Sequence, residues 1–158
     1  MRKSFAQELI KRARKDDRIW LLVGDLGYGV WDEFFKEFPD RAINCGASEM
    51  AMTDIAVGLA LERKVPFVYS IPTFLIYRPF ETLRTYVNRE NIKVLMIGSG
   101  RDDDYHQDGF SHFAGDVTDF LDPLENIKQY FPLTTEEIPV IIEEMIVGDN
   151  PCFLSLRR

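Results

Sequence analysis

The chain has 158 residues, 46% of them hydrophobic and 28% charged, a composition typical of one globular domain with a single core. The net charge of −7 argues against binding to a nucleic-acid backbone, and the longest apolar runs have the length of a strand rather than of a membrane span. Cys45 and Cys152 lack metal-ligand spacing, so we expect reduced thiols in a cytoplasmic protein. We therefore expect residues 1–158 to form a single domain that binds neither nucleic acid nor membrane.

Short apolar runs alternate with helical patterns along the whole chain. The patterns predict a first helix that opens in a capping box at Ser4, and further helices at 31–38, 48–62, 77–87, 117–121 and from Thr134 or Thr135 up to Gly148. The predicted strands lie at 19–23, 42–44, 65–71, 92–97, 127–130 and 152–156. This alternation predicts an α/β fold, a three-layer α/β/α sandwich around a mainly parallel sheet.

Ligands of such sheets bind beyond the carboxyl ends of the strands. Four segments follow predicted strands, namely 24–29, 45–49, 71–80 and 99–112, and we expect them to cluster at one edge of the sheet. The first of them, G-D-L-G-Y-G, fits neither the dinucleotide-binding pattern nor the phosphate-binding P-loop. Two roles stay open for Asp25 within it, a ligand contact and a cap of the loop.

Glu49 stands at the head of a predicted helix that is poor in charge, since Asp54 and Glu62 are the only charged residues in the thirteen that follow. An acid at a helix N-terminus is often explained by the helix dipole, which stabilises it by about 0.3–1 kcal/mol. A buried helix would also remove water from the carboxylate, which favours its protonation and suits a proton relay. Glu49 is therefore a candidate both for a structural acid and for an acid–base residue.

Three aromatic residues, Phe74, Tyr77 and Phe80, recur at a spacing of three. If a single helix carries them they share a face, which is typical of core packing. The arginine and proline inside the run indicate instead a loop or first turn that is open to a ligand. Together with Glu49, the aromatics could hold a flat heteroaromatic ring and present one acid to its edge.

The segment 102–112, D-D-D-Y-H-Q-D-G-F-S-H, contains both histidines of the chain. His106 and His112 lie six residues apart in an irregular stretch, which is no recognised metal-ligand spacing, so we predict no metal site. Two interpretations remain open, a solvated acidic loop and a pair of histidines placed over a substrate.

Taken together, these motifs resemble the pyrimidine-binding domain of the transketolase-like family of thiamine diphosphate enzymes. The resemblance runs from G-D-L-G through P-D-R-A-I-N-C-G-A-S-E-M-A-M and T-F-L-I-Y-R-P-F to D-G-F-S-H and P-C-F-L-S-L-R, which is nearly the whole chain. It implies the thiamine diphosphate-binding fold, with thiamine diphosphate as the cofactor.

The resemblance also implies roles for residues of the cofactor site. Glu49 matches the glutamate that hydrogen-bonds N1′ of the aminopyrimidine and thereby activates the thiazolium, which is acid–base catalysis relayed through the cofactor. Phe74, Tyr77 and Phe80 match the aromatic pocket around the pyrimidine, with Tyr77 in the principal stacking position. Asp25 is a further candidate contact of the cofactor.

On the substrate side, the resemblance makes His112 a catalytic residue that faces the substrate. Asp108 matches a contact to a sugar hydroxyl, and Arg157 matches an arginine that holds a substrate phosphate. Two departures argue against a sugar phosphate: Gly100 replaces a histidine of the phosphate-binding set, and Gly29 replaces a loop serine.

The 158 residues contain no G-D-G followed by an asparagine pair, the motif that holds magnesium and diphosphate in this family. We therefore expect the small subunit of a split transketolase-like transferase, active only with a separate diphosphate-binding subunit that holds Mg²⁺, in a heterotetramer that acts on a small molecule. Two alternatives remain: a pyrimidine-binding subunit of a split 2-oxo-acid decarboxylase, and a non-catalytic regulatory or binding homologue.

Overall fold

A computed structural model describes residues 1–158. The α-helices are α1 Arg2–Ala13, α2 Asp32–Glu37, α3 Glu49–Leu61, α4 Pro72–Tyr77, α5 Phe80–Thr82, α6 Val117–Leu121 and α7 Ile138–Val147. The strands are β1 Ile19–Val23, β2 Ala42–Asn44, β3 Val65–Ser70, β4 Leu95–Ser99, β5 Lys128–Tyr130 and β6 Cys152–Leu156. A π-helix covers Leu83–Arg89, and short 3-10 turns cover Pro39–Arg41, His106–Asp108, Phe110–His112 and Thr135–Glu137.

The six strands form one sheet in the order β2-β1-β3-β4-β6-β5. Every neighbouring pair is parallel, so the predicted mainly parallel sheet is confirmed and is in fact wholly parallel. The central strands are buried on both faces, as expected when helices cover a parallel sheet from both sides.

The side chains of alternate strand residues point into two separate hydrophobic cores. Leu21 and Val23 of β1 point into a core closed by α1, α2 and α7, whereas Leu22 points into a second core closed by α3, α4 and α6. Because side chains alternate across a strand, the two cores lie on opposite faces of the sheet. The predicted three-layer α/β/α sandwich is therefore confirmed.

Two predicted helix starts are wrong. The first helix begins at Arg2, so Ser4 lies inside the helix and caps nothing. The helix predicted at 77–87 begins instead at Pro72, whose fixed φ suits the first helical position. Pro79 then separates α4 from α5 and the π-helix, because proline cannot donate the next helical hydrogen bond. The predicted cap at Thr134 is confirmed, as Thr134 and Glu137 form a reciprocal capping box.

The loops that follow the strands meet at the carboxyl edge of the sheet, as the sequence predicts. Ser70, at the end of β3, contacts Glu49 at the start of α3, and Gly24 beyond β1 lies against both. The hydroxyl of Thr73 on α4 donates to the backbone carbonyl of Ser111 at 2.8 Å, which brings the long loop after β4 to the same edge. None of the helices is long and apolar enough to cross a membrane.

Candidate functional site

The carboxylate of Glu49 is buried at the carboxyl edge of the sheet, where the residue is 1% exposed. Glu49 is the first residue of α3, so the free backbone N–H groups of that helix start stabilise a negative charge. Its backbone carbonyl accepts a hydrogen bond from the Thr53 hydroxyl at 2.8 Å, which holds the first turn in place. A carboxylate this deep in a protein must be paired, and both of its oxygens are.

One oxygen of the carboxylate faces the protein interior. The Ser70 hydroxyl donates to Glu49 Oε1 at 2.8 Å, and Ser70 is itself fully buried at the last position of β3. A Cβ at Gly24 would lie 3.0 Å from both Glu49 Oε1 and Ser70 Oγ, so only glycine allows β1 to approach this closely. Gly24 and Ser70 thus form a cradle that fixes the carboxylate.

The other oxygen faces the surface and is covered by Arg78. The Arg78 guanidinium donates to Glu49 Oε2 at 2.5 Å and lies flat over the Phe74 ring, with Cζ 3.9 Å from the ring centroid. A second neighbour of Phe74 is His112, whose ring meets it edge-on at 4.9 Å between centroids. Glu49, Arg78, Phe74 and His112 therefore form one continuous group at the mouth of the site.

The three predicted aromatics do not share one face. Phe74 lies at the mouth of the site, whereas Tyr77 and Phe80 both pack against Phe120 of α6, at centroid distances of 4.7 and 6.1 Å. The division falls within α4: Phe74 and Tyr77 lie three residues apart on the same helix but contact different neighbours, and the break at Pro79 only separates Phe80 from that helix. Core packing accounts for part of the motif, and Phe74 is the aromatic side chain next to the acid.

Among the hydroxyl groups at this edge of the sheet, that of Tyr77 has the most strongly shifted pKa. Its phenol donates to Asp116 at 2.5 Å, and burial, followed by this hydrogen bond, raises the pKa of Tyr77 well above its usual value. The bond joins α4 to the turn that precedes α6. The ring of Tyr77 is therefore held in one orientation beside the mouth of the site.

Asp25 organises the loop after β1. Its carboxylate accepts hydrogen bonds from the Tyr28 hydroxyl at 2.8 Å and from the Asn44 amide at 3.2 Å, and the first of these is the main reason that the pKa of Asp25 is lowered. Asn44 in turn accepts from the Asp25 and Gly46 backbone N–H groups. These contacts fit the structural interpretation of Asp25, and its cofactor contact stays a prediction.

The predicted substrate residues lie further along the same edge. Asp108 is exposed in the 3-10 turn after Tyr105, and Arg157, beyond β6, pairs with Asp102 at 3.3 Å. Gly100 has φ +95°, and a Cβ there would overlap the ring of Tyr105, so the side chain of Tyr105 fills this space. The roles of Asp108, His112 and Arg157 remain predictions.

Sequence reasoning missed three partners of the acid. Ser70 was read as part of an apolar strand, although a lone hydroxyl at the last position of a buried strand is a signal for a binding edge. Arg78 was read as a sign of a loop, and Gly24 as part of a failed phosphate motif. None of the three forms a motif on its own, because only the fold brings them to Glu49.

The arrangement as a whole is a buried acid, with its outward oxygen paired to the half-exposed Arg78 beside an aromatic ring, at the carboxyl edge of a parallel α/β sheet. It can hold a flat ring that carries an N–H donor or a protonatable ring nitrogen. Fold and site together define a parallel α/β domain with a buried glutamate at the carboxyl edge of its sheet. Residues 1–158 match the family described as the pyrimidine-binding domain of transketolase, and the chain belongs to that family.

Several relatives extend this result. Over its full length, the chain aligns at 26% sequence identity with the 6-deoxy-6-sulfo-D-fructose transketolase subunit SqwH of Clostridium sp. (strain MSTE9). The alignment covers 49% of that subunit. It also aligns over its full length, at 32% sequence identity, with a putative transketolase C-terminal section of Methanocaldococcus jannaschii. That alignment covers 50% of the relative. The chain therefore spans about half the length of these relatives.

Among solved structures, a split-gene transketolase described as an inactive beta4 tetramer is similar in fold. It superimposes with a TM-score of 0.86 over 99% of this chain and 51% of the other, at 23% sequence identity. This similarity confirms the thiamine diphosphate-binding type of fold that the sequence predicts.

Proposed function

We propose that this protein is one subunit of a thiamine diphosphate-dependent, transketolase-like transferase, in which it binds the aminopyrimidine of the cofactor. The observation that carries the proposal is the buried Glu49 carboxylate, fixed from inside by Ser70 and beside the Phe74 ring on its outer side. Its outward oxygen is paired only with the half-exposed Arg78 and lies at the mouth of the site, which supports a role in binding.

The residues present fit an aminopyrimidine. Glu49 Oε2 would share one proton with the pyrimidine ring nitrogen in a hydrogen bond, because Oε1 is already engaged by Ser70. Phe74 would contact the ring face, with Tyr77 and Phe80 behind it, and Asp25 would lie at the rim. No large side chain can replace Gly24 without moving the acid, which fits a site that needs a fixed carboxylate.

When bound, thiamine diphosphate supplies a thiazolium carbon that makes and breaks carbon–carbon bonds next to a carbonyl group. The part of this chain is to hold and pass one proton at Glu49 Oε2 toward the pyrimidine nitrogen, in a place from which water is excluded. His112 contacts Phe74 and is half-buried, and we propose that it faces a substrate. Asp108 and Arg157 would bind the substrate further along the edge.

We further propose that a second chain binds the diphosphate and Mg²⁺, and that the two chains form a heterotetramer. One relative is named as a transketolase subunit, which supports a divided enzyme. The outer side of α3 also exposes three apolar residues around Asp54, with Met50 48% exposed, Ile55 42% and Leu61 65%. Apolar faces of this kind are typical of permanent interfaces.

The free thiols of Cys45 and Cys152 suit the reducing cytoplasm.

Reconstitution with the diphosphate-binding subunit tests the proposal. We expect Glu49→Gln to lower kcat of the reconstituted enzyme by at least about 100-fold, the usual contribution of an acid–base group. Glu62→Gln is the matched control, since Glu62 is exposed just beyond the other end of α3 and should leave kcat unchanged. An active Glu49→Gln enzyme would contradict the assignment of Glu49.

A further inference from the structure

The outward oxygen of Glu49 already has a partner within the chain. The Arg78 guanidinium donates to Glu49 Oε2 at 2.5 Å, while the Arg78 side chain itself is 42% exposed and that of Glu49 only 1%. The guanidinium is therefore the group that stands between the buried acid and solvent. Any ligand that reaches Oε2 from outside must first displace it.

The position of Arg78 matches the chemistry that a ring ligand would need. A guanidinium is a flat cation whose edge carries N–H donors, and it stacks readily on aromatic faces. Here its edge meets the carboxylate, and its face covers Phe74 at 3.9 Å from Cζ to the ring centroid. An aminopyrimidine bound to the same acid would present the same two features, N–H donors at its edge and a flat face to Phe74.

We propose that Arg78 is an internal substitute for the aminopyrimidine, which pairs with Glu49 when the ring is absent and exchanges with it when the ring binds. The proposal rests on the function proposed above. It makes Arg78 a positioning residue, because it acts on the ligand only through Glu49. It also sets a condition on ligands: a ring without an N–H donor or a protonatable nitrogen leaves the buried carboxylate unpaired and cannot replace Arg78.

The surrounding backbone permits the exchange. Arg78 is the residue that follows α4, and Pro79 after it has no N–H to bond, so no helical hydrogen bond has to break when the side chain turns outward. The exposed part of the side chain already faces solvent. The carboxylate stays in place during the exchange, because Ser70 and the first turn of α3 hold it independently of Arg78.

The exchange is tested by nuclear magnetic resonance on the full chain with ¹⁵N-labelled arginine, with thiamine as the probe because it carries the aminopyrimidine without the diphosphate. Arg78→Met identifies the Arg78 signals, and Glu49→Gln gives their position without the pair. We expect the wild-type Arg78 signals to move toward the Glu49→Gln position as thiamine is added, while the ring signals of Phe74, followed in a second sample with ¹³C-labelled phenylalanine, shift at the same concentrations.

The same variants give a second, independent readout by calorimetry. Removing the competitor in Arg78→Met should tighten thiamine binding by about five- to thirtyfold, a range that corresponds to a modest ion pair. Arg78→Lys should fall between Arg78→Met and the wild type. Arg84→Met is the matched control, since Arg84 is exposed six residues further on, beyond the break at Pro79, and should leave the affinity unchanged.

The outcomes separate the two proposals. If thiamine shifts Phe74 while the Arg78 signals keep their paired position, or if Arg78→Met weakens binding, the exchange is wrong and the aminopyrimidine site stands. If thiamine perturbs nothing at this edge in the wild type or in Arg78→Met, both the site and the exchange are overturned. Unaltered Arg78 signals in Glu49→Gln without thiamine would also overturn the exchange.

Discussion

The hydrogen bond between Tyr77 and Asp116 shows how single residues hold the mouth of the site. The two side chains belong to different segments, α4 and the turn before α6, and the phenol oxygen lies 2.5 Å from the carboxylate. Burial and this bond raise the pKa of Tyr77, so the neutral phenol is favoured in the folded protein over the unfolded chain. The contribution of Tyr77 to stability is therefore fully present below the unfolded pKa of about 10 and is lost as the pH rises through the higher folded value.

The upward direction of this pKa shift predicts how Tyr77→Phe changes the stability of the protein with pH. At pH 7 the variant should lose about 1 kcal/mol of unfolding free energy, because Asp116 loses its donor. Above pH 10 the difference between variant and wild type should shrink, since the wild type then loses its own advantage. Urea unfolding from pH 7 to 11 measures both effects, with Tyr86→Phe, at an exposed position, as the control. A gap that widens with pH would contradict the argument.

At the scale of elements, the site depends on how closely β1 can approach the start of α3. The strands β1 and β3 pair from Ile19 opposite Val65 to Val23 opposite Tyr69, and the next residues along, Gly24 and Ser70, lie beside Glu49. A methyl group at Gly24 would have to push either the serine or the acid. Gly58, in the outer face of α3, has open space around it instead.

The two glycines therefore predict opposite effects of the same substitution. Gly24→Ala should cost about 1–3 kcal/mol through overpacking. Gly58→Ala should stabilise the isolated chain by about 0.5–1 kcal/mol, because alanine favours a helix interior. Chemical denaturation of the two variants beside the wild type gives the comparison. Equal effects would mean that the backbone beside Glu49 adapts freely.

The elements also show what the sequence could predict. All six strands were predicted, and the four central ones carry the continuous apolar runs that are a strong signal, whereas the short edge strands β2 and β5 do not. The break of the helix at Pro79 and the separation of Phe74 from Tyr77 were not predicted, because both depend on packing against α6 and the loop after β4, which spacing along the chain does not show. Glu49 was found from its position, whereas Ser70 and Arg78 are separated from it by 21 and 29 residues and meet it only through the fold.

At the scale of the molecule, the outer side of α3 is the surface that we propose to bind the diphosphate-binding chain. Met50, Ile55 and Leu61 are exposed there around small residues, Ala51 and Gly58, that would let another helix come close. The helix α7 covers the opposite side of the sheet and also exposes an apolar residue, Val140, which is 61% exposed. Ile55 on α3 and Val140 on α7 are thus two exposed apolar positions, one for a test of the interface and one for its control.

We expect Ile55→Asp to abolish association with the diphosphate-binding subunit, because a charge at the centre of an apolar interface would be buried without a partner. The isolated variant should still fold, since Ile55 is 42% exposed. Val140→Asp should associate as the wild type does. Size-exclusion chromatography with light scattering on mixed subunits distinguishes the cases, and an intact complex with Ile55→Asp would place the interface elsewhere.

The strand order has a consequence for how the site comes into being. Strands that are consecutive in the chain pair as β1–β2, β3–β4 and β5–β6, and the ladders β1–β3 and β4–β6 join these three units. Gly24 belongs to the first unit, Ser70 to the second, and Glu49 to the helix that crosses between them. A folding chain with only its local strand pairs would thus have no acid site at all, since the closure of a long-range ladder brings the three together. Until that closure Glu49 stays in water, and its charge is buried only in a molecule whose sheet is already joined.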